Sequence, residues 1–173
     1  MSGRKLDRGL TAFRIGDPDG AYPIFDATGS RISPGRWNTP DTPVIHASEH
    51  YSTAMLEVLA NASGVLPPDQ HFIEIALDAG LSYEVFSAAH HPGWDRADKQ
   101  VARAFGSAWV AENRSVLLFT PSVVARMERN ILINPAHPEF GRIRPGLHQP
   151  VWWDQRLFHG QGRRGSHPYM SPR

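Results

Sequence analysis

The sequence predicts an α+β domain. Short β-prone runs recur along the whole chain, only two segments have helical amphipathicity, and the two kinds do not alternate strictly as a doubly wound sheet requires. At 173 residues the chain fits one domain, large enough to bury roughly 70% of its unfolded surface. Its 15 glycines and 15 prolines fall between periodic segments, so no second-domain boundary stands out. Small mixed sheets with flanking helices are the expected architecture.

The first element is a strand over Leu10–Ile15, ended by the turn-rich Gly16–Gly20. From Asp17 to Thr42 turn chemistry dominates, with DATGS and SPGRWN as loops. A β-prone run, Pro43–Ala47, leads to Ser48, a good N-cap for a helix reaching about Asn61. That helix carries an apolar stripe of Tyr51, Met55, Val58, Leu59 and Ala62, with Glu57 away from it, near Ala54 and Asn61. His71–Leu77 has the period of a half-buried strand, with Ile73, Ile75 and Leu77 on one face. A second helix, about Ala97–Glu112, puts Val101, Ala104, Phe105, Ala108 and Trp109 on one side. Ser115–Phe119 and Asn130–Ile133 are further β-prone runs, and after Pro135 the pattern is irregular.

Composition narrows the chemistry. No cysteine is present, which removes disulfides, thiolate metal sites and Cys nucleophiles together and suits a reducing cytoplasm. No apolar run reaches the ~20 residues of a membrane span, and the N-terminal segment lacks the apolar core of a signal peptide. A near-neutral total of +1 hides an asymmetry: residues 141–173 hold six arginines against Asp154 alone. That tail has no recognition helix or zinc module, so a direct nucleic-acid role is not expected.

Few linear motifs survive inspection. His46-Ala47-Ser48-Glu49-His50 spells H-x-x-E-H, which on a helix holds zinc. Here His46 ends a β-prone run, so the two imidazoles do not share a helical face and no metal is expected. Glycine-rich phosphate loops and a nucleophile elbow are missing. What remains is dispersed: Arg14 in FRIG, Arg36 in GRWN, Glu57 on a helix of small and apolar residues, and Ser122 after a bulky strand. Each has a plain alternative: an ion pair for Arg14, a turn cap for Arg36, a solvent-facing carboxylate for Glu57 and a local cap for Ser122.

Together and in this order the segments FRIG (Phe13–Gly16), Gly35–Ser63, Phe119–Phe140 and WDQRLF (Trp153–Phe158) resemble the RES domain family, named for its Arg, Glu and Ser. The resemblance covers residues 10–158 and leaves 159–173 as a basic tail. It places Arg142, Arg144 and Arg156 inside the domain.

The resemblance implies a fold similar to ADP-ribosyltransferases and the role of a bacterial toxin. Such a toxin consumes NAD⁺ and is held by an Xre-type helix-turn-helix antitoxin, with a homodimer inside that complex one arrangement. Phosphorolysis to nicotinamide and ADP-ribose-1-phosphate is the expected reaction, with inorganic phosphate as co-substrate and no cofactor beyond NAD⁺ as substrate. Transfer of ADP-ribose to a host protein and a non-catalytic nucleotide-binding module are the alternatives. By position, Glu57, Arg36 and Ser122 are the implied catalytic residues, and Arg14, Arg36, His46, Tyr51 and Ser122 the implied ligand-binding ones. His46 stands where the family usually has a tyrosine. His137, in the Asn-Pro-x-His-Pro run, is a further candidate.

Overall fold

The computed structural model describes residues 4–62 and 68–158. The tail over 159–173 lies outside the described residues. Among the described residues nine strands form one mixed sheet: β1 (Arg4–Lys5), β2 (Leu10–Gly16), β3 (Ile45–Ser48), β4 (His71–Leu77), β5 (Ser82–Val85), β6 (Leu117–Pro121), β7 (Arg129–Ile133), β8 (Arg144–Pro145) and β9 (Gln149–Pro150). Their order is β1-β5-β6-β7-β3-β2-β4-β8, with β9 also on β4, and every pair is antiparallel except β5–β6. Three helices, α1 (Thr28–Ile32), α2 (Tyr51–Asn61) and α3 (Gln100–Ala111), complete the α+β domain.

The expected small sheets are therefore one sheet, but with a weak seam. β2 and β3 meet at a single residue pair, Phe13 opposite Ser48. On either side of that seam pairing is continuous, seven residue pairs between β2 and β4 and four between β3 and β7.

Strand alternation sorts the core into two. In the β6–β7 ladder Leu117 pairs with Ile133 and Phe119 with Ile131, while Leu118 pairs with Leu132 between them. The first set packs with Ile45, Ile73 and Ile75 on one face. The second set packs with Trp37, Trp94, Ala102 and Trp109 on the other. His46 pairs with Leu132 and Ser48 with Asn130, so both polar side chains join the second face, the one α3 covers.

Several local expectations change. Ser48 is the last residue of β3 rather than a cap, because Asn130 opposite it extends the ladder; helix α2 starts at Tyr51 after an extended His50. Lys99, left-handed at φ +60°, delays α3 to Gln100. The buried face of α3 is Ala102, Gly106, Trp109 and Val110, with Val101 and Phe105 partly buried and Ala104 exposed. In α2 the most buried side chains are Thr53 and Ala54, beside the expected stripe, and Leu56 is exposed. DATGS contributes to the short α1. The skipped segment Ser82–Val85 is β5, and the irregular region after Pro135 supplies β8 and β9.

Gly106 explains the rotation of α3. A Cβ built there would lie 1.9 Å from the Trp37 carbonyl oxygen, so the helix touches the loop backbone where only glycine fits. Trp37 fills the resulting corner, edge-on to Phe86 with centroids 4.7 Å apart and stacked on Trp94 at 6.0 Å. Replacing a helical glycine by alanine ordinarily stabilises by about 1 kcal/mol. Gly106→Ala is expected instead to destabilise by about 3 kcal/mol, since the new methyl forces the helix off Trp37. Urea unfolding of the two proteins checks the sign.

Candidate active site

A cavity of about 680 Å³ opens on the α3-covered face, beside the seam between β2 and β3. Its charged lining is Arg14, Arg36, Lys99 and Glu57, joined by His46, Ser48 and Asn130.

Arg14 occupies the opening where β2 and β3 part. Its Nε donates to the Ile24 carbonyl at 2.5 Å, Nη1 to that of His46 at 2.6 Å and Nη2 to that of Asp26 at 3.5 Å. Three backbone acceptors from two segments thus converge on one planar fork, a geometry lysine cannot reproduce. Burial pulls the guanidinium below its ordinary pKa, and Tyr22 and Asp26 oppose that shift.

The loop before β3 is held from inside. Buried Asn38 uses its whole amide: Nδ2 donates to the carbonyls of Ser30 and Thr39 at 2.8 and 3.0 Å, and Oδ1 accepts from Gly35 N at 2.9 Å. His46 Nε2 lies 3.4 Å from the same Oδ1. With Trp37 anchored against α3, the intervening Arg36 is carried to the cavity rim. There its Nη1 donates to the carbonyls of Trp94 and Arg96 at 3.1 and 2.7 Å.

Glu57 projects from α2 toward β6 and β7, not toward solvent. Oε1 accepts from Ser122 Oγ at 2.9 Å and from Asn130 Nδ2 at 2.6 Å. The chain of bonds continues outward: Ser48 Oγ donates to Asn130 Oδ1 at 2.7 Å, and Ala125 N donates to Ser122 Oγ at 3.0 Å. Oε2 takes no donor among the described residues. One carboxylate oxygen is fixed while its twin is left for whatever enters the cavity.

The predicted site residues therefore separate into layers. Arg14, Arg36, His46 and Glu57 line the cavity. Ser122 is wholly buried and outside the lining, with its hydroxyl bonded to Glu57. Tyr51 packs between Phe13 and Phe72, with centroids 6.0 and 4.8 Å away, and is not part of the lining. His137 accepts from Glu139 N at 3.1 Å and also lies outside the cavity. Glu49 pairs with Arg129 and His50 with Glu128, so the H-x-x-E-H residues point to three different places. Asn130, Ser48, Asn38 and Lys99 are site residues that sequence reasoning missed; only Asn38, inside the GRWN segment, had a local signal.

The His46 ring packs against Gly35, where an added Cβ would come within 2.9 Å of it. Burial, reinforced by the Arg14 charge, lowers its pKa to about 4, so the ring is neutral near pH 7. The unfolded chain takes up that proton near 6.5. Stability owed to this residue is thus complete above about pH 6.5 and drains as the pH falls toward 4. Urea unfolding at pH 7 and pH 5 is expected to show wild type losing about 2 kcal/mol more than His46→Asn. Equal losses would place the ring in a water-like setting.

Comparison with known proteins identifies the family. The RES domain family model matches residues 11–154. A Sphingobium sp. protein named Prs ADP-ribosylating toxin is 34% identical over 77% of this chain and 86% of its own. Toxin Res of Pseudomonas putida is 30% identical over 69% of this chain and 83% of its own. A chain in the crystal structure of the M. tuberculosis MbcT–MbcA toxin–antitoxin complex superposes with a TM-score of 0.65 over 85% of this chain and 86% of that one. At 15% identity it supports the shared fold. With the family model spanning most of the domain and the fold shared, the chain belongs to the RES domain family.

Proposed function

We propose that this cavity binds NAD⁺ and breaks its nicotinamide–ribose bond, with inorganic phosphate as acceptor. The observation that carries the reading is Glu57: a single carboxylate, pinned through Oε1 by Ser122 and Asn130, facing a cavity whose other charges are positive. A volume of about 680 Å³ lies within the roughly 300–1,000 Å³ of small-molecule sites. The relative named an ADP-ribosylating toxin supports a substrate that carries ADP-ribose.

Cleavage of the bond from ribose C1′ to the pyridinium nitrogen leaves positive charge on the sugar, as in glycoside hydrolysis. The electron pair departs with nicotinamide, and a phosphate oxygen forms the new bond to C1′. Glu57 stabilises the developing charge and holds a ribose hydroxyl through Oε2. Because Oε1 is already bonded, the carboxylate needs little reorganisation as the charge appears. Ser122 acts through Glu57 and is not a nucleophile, since its hydroxyl proton is given to a carboxylate that other donors also claim. Neutral His46 offers a flat, uncharged surface for a pyridinium ring, at less area than the usual tyrosine.

Transfer of ADP-ribose to a protein side chain uses the same bond cleavage, and the name of the Sphingobium relative favours it as the second reading. We further propose that the protein acts as a toxin held by an antitoxin of the helix-turn-helix type; the relative named Toxin Res and the toxin–antitoxin complex that shares the fold support a toxin and an antitoxin partner.

Nicotinamide release, followed by chromatography on NAD⁺ with and without phosphate, tests the reading. Wild type is expected to turn over with phosphate, Glu57→Gln to lose about 10²–10³-fold in kcat, and Ser122→Ala about tenfold through a less ordered Glu57. A Glu57→Gln protein as fast as wild type would remove the carboxylate from the reaction. Label from NAD⁺ on a protein band would favour transfer.

A further inference from the structure

We propose that Lys99 and Arg36 together form a seat for a phosphate group at the cavity rim, with Lys99 a ligand-binding residue. The inference rests on the NAD⁺ reading above and specifies how that site handles negative charge.

Three cations and one carboxylate line the cavity, so its charge is unbalanced toward positive. Arg14 is largely spent on holding three backbone carbonyls at the strand seam. The two remaining cations share an anchor. Arg36 Nη1 donates to the Arg96 carbonyl at 2.7 Å, and the backbone N of Lys99 donates to that same oxygen at 3.2 Å. One carbonyl therefore ties the Arg36 guanidinium to the Lys99 backbone, and both residues line the cavity.

Among the described residues Arg36 and Lys99 form no ion pair. The carboxylates nearby in sequence have other partners: Asp95 bonds Arg126 at 2.9 Å, and Asp98 accepts from Gln100 N at 3.1 Å. Asp95 does feel the Arg36 charge, though its bond to Arg126 dominates. Two positively charged residues lining one cavity without an ion pair favour an anion between them, and a phosphate dianion suits both.

Backbone geometry points the same way. Lys99 is left-handed at φ +60°, a conformation that costs a side-chain-bearing residue free energy and suits glycine. The strain falls at a residue that lines the cavity. The ligand chemistry is a phosphate, supplied either by the dinucleotide's diphosphate or by free inorganic phosphate.

Calorimetric titration of the full chain with ADP-ribose and, separately, with inorganic phosphate tests the seat. Lys99→Met is expected to weaken at least one of them tenfold or more, Lys99→Arg to stay within about threefold of wild type, and added salt to weaken wild type more than Lys99→Met. Loss for ADP-ribose identifies the diphosphate as occupant; loss for phosphate alone identifies the acceptor. Lys99→Gly keeps the test independent of folding: it relieves the strained backbone, and is expected to match wild-type stability while binding as poorly as Lys99→Met. Unchanged binding by Lys99→Met or Lys99→Gly, failure of Lys99→Arg to restore it, or wild type that binds neither probe overturns the proposal. Wild type that binds the probes through Lys99 yet leaves NAD⁺ intact supports the seat and overturns the reaction.

Discussion

The structure turns on the single residue pair that joins its two halves. Phe13 opposite Ser48 is the only point where β2 and β3 meet as strands, and beyond it Arg14 takes over. A guanidinium bonded to three backbone carbonyls keeps the halves of the sheet in fixed register without closing the space between them. A continuous ladder there would have filled the cavity with backbone. Charge-assisted bonds of this kind are individually stronger than ladder bonds, so a few suffice across the gap.

Around that opening Glu57 and Arg36 are each positioned by something distant in sequence. Glu57 answers to Ser122 and Asn130, which lie 65 and 73 residues away. Arg36 reaches carbonyls 58 and 60 residues away, and its loop is set by Trp37 lodged against Gly106. The consequence for function is rigidity: the carboxylate and the cations are placed before any ligand arrives, which is where preorganised electrostatics draw their effect.

That remoteness also marks what the sequence could disclose. Strands with period-two apolar patterns, such as His71–Leu77, were legible because alternation is local. Ser82–Val85 was not, since its status as a strand comes from parallel pairing with β6 and contact with Arg4–Lys5. Ser48 has the chemistry of a helix cap and of a strand hydroxyl, and cross-strand Asn130 decides between them. Glu57, off the apolar stripe, looks solvated until β7 supplies its partners. Motif order singled out Arg14, Arg36, Glu57 and Ser122; it carried no information about Asn130 or Lys99, which the fold brings to the cavity lining.

Phosphorus NMR of NAD⁺ incubated with the purified protein and inorganic phosphate bears most directly on the account. If the protein phosphorolyses NAD⁺, the diphosphate resonances persist, shifted, while a new sugar-phosphate resonance grows in step with released nicotinamide. An unchanged NAD⁺ spectrum would contradict it, as would nicotinamide release with no new sugar-phosphate resonance.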